Sequence, residues 1–524
     1  MNCHLITTER INRYKVWFRF AIVVTLLWGL TAHMYCFTNN AFSHDSLGEF
    51  FASEAVTNHR IELGRFMVPM YRIIFRTGLT LPWMVGLLGM LWVALSVFMV
   101  LTVFNVRSKL TAALIAGVFS TNLTVAATAA TYLHDFDCDM FALFCAVLAV
   151  FLWHEFKWGE LPGALLLAVS MGLYQSYVSV AIALIIIASI VKILEEENWR
   201  VIFRKGIFAL GMLVAGGAIY YIGTKVFSSY YGVPLETGDY NSLDIALTLT
   251  PALLIKNIFD AHTDCCTQIM SEFSTYPETM MYWVRLVALT TGGLSLIRLL
   301  WNRKISIPAK ALCVVLVAIL PVGMNVTYVL AQGMTHDLME YAFSLVYLLV
   351  LLLIDMAVEK GQSANPETRF AAGIMRPLSI FCICVILLGN IQLSNALYLK
   401  KDFEADATLS LMTRVMYRVE DYDGYVPEET EVVFVGAPKQ MKGTLAGFEG
   451  YETIVGVRKT FAIGSIELGR FRSYFKYVMN MPITLAESKI WKAMQKDVRV
   501  GQMPAYPDDG CIEMIDGVLV VKLG

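Results

Sequence analysis

Apolar runs of membrane-crossing length recur along this chain, near 16 to 38, 81 to 104, 110 to 131, 140 to 156, 161 to 177, 178 to 195, 206 to 227, 280 to 300, 308 to 331, 342 to 358 and 377 to 397. The hydrocarbon core of a bilayer offers no water to unpaired backbone groups, so a run of roughly twenty apolar residues is expected to cross it as a helix. The pattern predicts about eleven spans, two of them short. Of the 524 residues 57% are hydrophobic and only 16% charged, where a soluble domain carries roughly 25% charge. The expected class is an α-helical integral membrane protein.

A formal net charge of −2 points to no nucleic-acid partner, and the placement of charge carries more information than its sum. Lys and Arg gather on alternate connections: Arg10, Arg13, Lys15 and Arg19, then Arg107 and Lys109, Lys157, Lys192 to Lys205, Arg298 to Lys310, and Lys360 to Arg376. The positive-inside bias makes that side cytoplasmic, with the N-terminus on it. No small-residue cleavage site follows the first run, which reads as a retained helix rather than a signal peptide. Between Leu161 and Leu194 only YQSY, Tyr174 to Tyr177, interrupts the apolar sequence, and a tight hairpin is expected there. The span count is then odd, which places segment 398 to 524 outside. Its strand-like EVVFVG (431 to 436) and VLVVKL (518 to 523) predict a small extracytoplasmic α/β domain. Residues 1 to 397 form the membrane domain, with outer loops at 39 to 80, 132 to 139, 228 to 279 and 333 to 341. Ten cysteines are scattered without metal-ligand spacing and read mainly as small apolar residues.

The loop after the first span carries Asp45 and Glu49 about one helical turn apart, then Arg60, Arg65, Arg72 and Arg76. Basic residues should be scarce on that face. From Pro69 onward the sequence is helix-compatible, with Arg72 and Arg76 on one face and Met70, Ile73, Ile74 and Phe75 as apolar area, which suits an amphipathic helix in the interface. Its arginines either snorkel to lipid phosphates, the plainer reading for Arg76, or bind a substrate phosphate, the reading taken for Arg72 and for Arg65 beside Gly64. Asp45 either caps a helix beginning at Ser46 or acts as a general base.

YLHDFDCDMF, 132 to 141, places Asp135, Asp137 and Asp139 at every second position between two apolar runs. One of them would cap the following helix. In a helix Asp135 and Asp139 share a face; an extended loop would turn all three the same way and suit a divalent cation, magnesium or manganese. Asp-x-Asp is also the metal motif of nucleotide-sugar transferases, but nucleotide sugars are absent outside the cytoplasm, which excludes that version. Tyr174, Gln175 and Tyr177 offer hydroxyls and an amide to a sugar, or form an aromatic interface belt and a polar turn. Glu340, with Asp337 and His336, lies in the last short outer loop, and Lys225 near the outer end of the seventh span would meet a phosphate or snorkel. No HExxH, Walker, GxGxxG or GxSxG context is present, so zinc hydrolysis, ATP hydrolysis, dinucleotide binding and serine hydrolysis have no support.

FSHDS after the first span, LGRF some way on, LPWMVGLLGMLWVALS opening the second span, ATYLHDFDCDMFAL and MGLYQSYVSVAIAL follow one another as in the membrane glucosyltransferases of phage-type O-antigen modification, the Gtr type II group of the GT-C class. NALYLKKDFEADATLSLMTRV followed by EVVFVG is similar to that family's passage into its C-terminal segment. The chain resembles the family from about residue 20 to about residue 440.

The resemblance implies a GT-C-like fold, a polyprenyl-phosphate sugar as donor, and a polysaccharide or lipid-linked glycan as acceptor on the periplasmic face of a bacterial inner membrane. Asp45 would be the base of a single inverting displacement, with Asp135 and Asp137 beside it. Arg65, Arg72 and Lys225 would hold the donor phosphate, and Glu49, Asp139, Tyr174, Gln175, Tyr177 and Glu340 the sugar and acceptor. Family members often show adjacent acidic residues in this loop. This chain has His44-Asp45-Ser46, so Glu49 or the 135 to 139 cluster would have to supply a second carboxylate. A transporter or flippase would show ionisable groups within its spans and two similar halves, and neither is evident. A polysaccharide polymerase or ligase is separated only by the family likeness.

Overall fold

A computed structural model of the chain describes residues 8–39, 43, 46–49, 53–76, 78–238, 245, 248–301, 304–361, 366–436, 447–451, 454 and 468–524. Helix α1 (Thr8–Thr38) leads to two short helices, α2 (Glu54–Glu62) and α3 (Met67–Phe75), and then to α4 (Pro82–Val103). The run expected as one span near 110 to 131 is two helices, α5 (Lys109–Thr121) and α6 (Leu123–Thr131). Asn122 divides them: its Oδ1 accepts the Val125 N–H at 3.1 Å while its Nδ2 donates to the Val118 carbonyl at 3.1 Å. One polar side chain thus caps two helix ends inside an apolar environment, where free backbone groups are costly.

Four helices follow, α7 (Phe136–Glu155), α8 (Glu160–Leu173), α9 (Val178–Leu194) and α10 (Trp199–Tyr231). Then come α11 (Pro251–Ser271), α12 (Glu278–Leu300), α13 (Ile307–Met324), α14 (Val326–Leu330), α15 (Leu345–Gly361) and α16 (Pro366–Glu420). Among the described residues ten helices are long and apolar enough to cross a membrane. The eleventh expected span is α8, whose 14 residues are fewer than a crossing needs. It packs closely on α10, where Cβ atoms at Gly163 and Gly216 would meet Met212 and the Ala164 carbonyl.

The centre of the bundle is formed by α5, α6, α7, α9 and α15, which are mostly buried, while only a minority of α10, α12 and α13 is buried. The exposed side chains of α10 include Phe203, Ile207, Leu210, Val214 and Ile222, the surface expected of a helix facing lipid.

The segment from Pro366 to Glu420 is one unbroken helix, so the boundary drawn at 397/398 falls inside it. Its second half carries Leu411, Met412, Val415, Met416 and Val419 into a separate core. That core is completed by β1 (Glu431–Val435), α17 (Leu468–Tyr474), β2 (Thr484–Leu485), α18 (Ser488–Met494), α19 (Val498–Gln502), β3 (Ile512–Ile515) and β4 (Val518–Lys522). The sheet runs β2-β1-β4-β3, with β1 parallel to β2 and β4, and β3 antiparallel to β4. Both strand-like sequences are therefore strands of a small α/β domain. Leu47, from the loop after α1, is wholly buried in the same core. This one leucine ties the first loop to the C-terminal domain.

Candidate active site

The α2–α3 pair is built by local chemistry. Ser53 caps α2 by accepting the Val56 N–H at 3.2 Å. Gly64 then turns the chain at φ +71°, and a Cβ there would lie 2.8 Å from the Tyr220 hydroxyl, so only glycine fits. Gln175 fixes the same turn, donating from Nε2 to the Leu63 carbonyl at 2.8 Å and to the Tyr220 hydroxyl at 3.0 Å. Pro69 stands in the first turn of α3, as expected.

Helix α3 is amphipathic in the sense opposite to a soluble surface helix. Ile73 and Ile74 are 79% and 73% exposed, while Tyr71 and Arg76 are buried. Charge inside and isoleucine outside is stable only against lipid. The snorkelling reading of Arg76 is thereby corrected: its Nε lies 3.3 Å from Asp137 Oδ2 inside the protein.

Two arginines and two carboxylates close a buried box. Nη2 of Arg60 lies 3.0 Å from Glu49 Oε1 and 2.9 Å from Asp135 Oδ2. Nη2 of Arg72 lies 3.2 Å from Glu49 Oε2 and 2.6 Å from Asp135 Oδ1. Arg60 also donates to His134 Nε2 at 2.9 Å. Burial works against the charge on Arg72, but the Asp135 and Glu49 carboxylates outweigh it and hold its pKa above the ordinary arginine value. Arg60 and His134 received no role from the sequence. The only signal was the excess of arginine on a face where it should be scarce.

The three aspartates have different surroundings. Asp135 occupies the N-cap position of α7, yet its side chain caps no N–H and is taken by Arg60 and Arg72. Asp137 accepts the Cys138 N–H at 3.1 Å and pairs with Arg76. Asp139 is buried and makes no hydrogen bond or ion pair with any described residue; of the arginines around it, Arg65 acts on it most strongly. Helix and 3-10 turn replace the extended loop that would have gathered all three around a cation. Among the described residues no three His, Cys, Asp or Glu side chains converge as metal ligands.

Arg65 is the counterpart of Asp139. Its guanidinium lies 4.6 Å from the centre of the Tyr174 ring and forms no ion pair among the described residues, and its Nε is buried without a partner. YQSY forms a 3-10 turn between α8 and α9, but Tyr174 and Tyr177 are buried rather than facing lipid as a belt. The Tyr177 hydroxyl is buried with no partner among the described residues. Gln175 is occupied in holding the Gly64 turn. Lys225 is not brought to the site: it is exposed on α10, its ammonium 5.7 Å from the Tyr221 ring.

Asp45 lies outside the described residues. Its neighbours Ser43 and Ser46 bond to each other, with the Ser43 N–H donating to Ser46 Oγ at 2.7 Å, and the Ser43 hydroxyl donates to the Thr131 carbonyl at 2.5 Å. These bonds tie the loop to the chain just before the aspartate cluster. Residues 46–48 form a turn, not the start of a helix. Glu340 lies in the connection before α15 and lines a separate cavity of about 900 Å³. Burial, then Asp337, Asp264 and Glu272, push its pKa up to about 8.

A family model described as glucosyl transferase GtrII matches residues 34–354, more than half of the chain. No curated protein and no solved structure matches. The matched stretch contains the whole arginine–carboxylate box together with Arg65, Asp139 and the YQSY turn, and on that match the chain belongs to the glucosyl transferase GtrII family.

Proposed function

We propose that this membrane glycosyltransferase moves glucose from a polyprenyl phosphate to a cell-surface polysaccharide such as O-antigen, on the extracytoplasmic face of a bacterial inner membrane. The observation that carries this reading is the pairing pattern. Arg60, Arg72, Asp135, Glu49, Arg76 and Asp137 neutralise one another and form a rigid wall, whereas Arg65 and Asp139 form no ion pair with any described residue. A cation over an aromatic ring suits the phosphate of a lipid donor, whose negative charge grows as the glycosidic bond breaks. Asp45 takes the proton from the acceptor hydroxyl, and Asp139 orients that hydroxyl as the second carboxylate. A single displacement of this kind inverts the anomeric centre and needs no protein nucleophile. Support for the sidedness comes from the basic residues on the alternate connections.

The reading is tested with purified protein, polyprenyl-phosphate glucose or a nucleotide glucose as donor, and surface polysaccharide as acceptor. Transfer is expected from the lipid donor alone. Arg65→Ala should lower kcat/KM for it by about 10²-fold, with partial recovery in Arg65→Lys. Equal transfer from the nucleotide sugar, or an unaltered rate in Arg65→Ala, would sink it.

A further inference from the structure

The cavity of about 900 Å³ lies beside the charged box, not in it, and none of Arg60, Arg65, Arg72, Asp135 and Asp139 lines it. Its walls come from the α5–α6 junction, the α11–α12 turn, the connection before α15, α16, and Glu449, Tyr451 and Ile454. The lining combines aromatic faces with hydrogen-bonding groups: Tyr276 and Tyr451 among the rings, Gln268 and Asn390 as amides, and Glu272 and Glu340 as acids. The volume falls within the range of roughly 300–1,000 Å³ typical of ligand sites.

The lining also decides between ligands. Leu123, Ile269, Met281, Ile383, Ile386 and Leu387 line it as well, but the acids and amides among them would be left unpaired against a lipid tail. A phosphate would meet Glu272, Asp337 and Glu340, and the nearby Arg285 is already 3.5 Å from Glu272. Sugar hydroxyls pair with carboxyl and amide groups, and the C–H face of a sugar ring packs on an aromatic ring. A line of rings joins this cavity to the charged site. Tyr341, next to Glu340, lies 5.6 Å from Tyr177, which lies 5.9 Å from Tyr174 under Arg65. Tyr177, whose hydroxyl has no partner among the described residues, is the middle ring of that line. Part of the enclosure lies outside the residues matched by the family model: Tyr451, which packs on Phe273 at 5.0 Å, and Asn390 both follow residue 354.

We infer that this cavity is the acceptor subsite, binding an uncharged oligosaccharide stretch whose end reaches Asp139 and Arg65 along the tyrosines. The inference rests on the glycosyl-transfer reading above. It also places acceptor choice partly in the C-terminal segment.

The test uses the full chain in lipid nanodiscs. One probe is oligosaccharide released by mild acid from the source cells' surface polysaccharide; the other is polyprenyl phosphate, each followed by equilibrium dialysis. Wild-type protein should bind both. Tyr276→Ala and Asn390→Ala should each weaken the oligosaccharide by roughly tenfold or more and leave polyprenyl phosphate unchanged. Thermal melting and Asn390→Gln, which keeps an amide, separate loss of contact from loss of fold. No oligosaccharide binding by the wild type, unchanged affinity in both variants, or a matching loss of polyprenyl phosphate overturns the inference. Binding that follows the expected pattern without any sugar transfer would support the subsite and count only against the reaction.

Discussion

Three aspartates spaced two residues apart look equivalent in sequence but are not equivalent in the fold. Asp135 and Asp137 are held by buried arginines, and Asp139 pairs with no described residue. Removing one partner of a buried ion pair strands the other, at a cost of about 3–5 kcal/mol. Asp135→Asn is therefore expected to lower stability by that order, because it uncovers both Arg60 and Arg72. Asp139→Asn should leave thermal melting nearly unchanged and lower kcat by at least about 10²-fold. Melting curves and transfer rates on the two variants check this, and the reverse pattern would mean that the roles are exchanged. The sequence made it legible that arginines and aspartates share one face. It did not show which would pair, because pairing depends on contacts such as Arg60 with Asp135 and Arg72 with Asp135, which join α2 and α3 to the start of α7. Arg60 went without a role for the same reason.

At the scale of elements, periodicity read the long helices well and their interruptions poorly. Asn122 and Asn325 break apolar runs because each amide finds partners inside the bundle; Asn325 donates to Asp264 at 2.9 Å. Helix α3 was legible as amphipathic, but which face turned inward was settled by carboxylates from distant segments. The connection before α15 has a consequence for pH. Glu340 faces Asp337 on its own turn, Asp264 on α11 and Glu272 at its end, while Arg285 on α12 is engaged with Glu272 and His336 lies nearby. Its pKa of about 8 lies above the ordinary 4.5, so the folded state holds its proton more tightly than the unfolded chain does. The stability this gives is complete below about pH 4.5 and is lost as pH rises through about 8. Melting temperature is expected to fall between pH 6 and pH 9, with a shallower fall in Glu340→Gln. An identical slope in the two proteins would remove Glu340 as the cause.

For the whole molecule, the sequence supplied the class, the helix break at YQSY and the C-terminal strands, because each is a local pattern. It did not reveal that α16 runs unbroken from the bundle into the C-terminal domain, nor that Leu47 of the first loop is buried in that domain's core. Composition changes near residue 398 while the backbone does not, so a boundary drawn on composition cuts through a helix. The result is a molecule in which the first loop is held between two bodies, tied to Thr131 through Ser43 and to the C-terminal domain through Leu47. Asp45 lies between those two anchors in sequence. The account stands most directly on one measurement, glucose transfer from polyprenyl-phosphate glucose to surface polysaccharide by purified wild-type protein and Asp45→Asn. Transfer by the wild type, with a fall of about 10²-fold or more in the variant at unchanged donor affinity, is the expected result. Transfer by Asp45→Asn at the wild-type rate would contradict it.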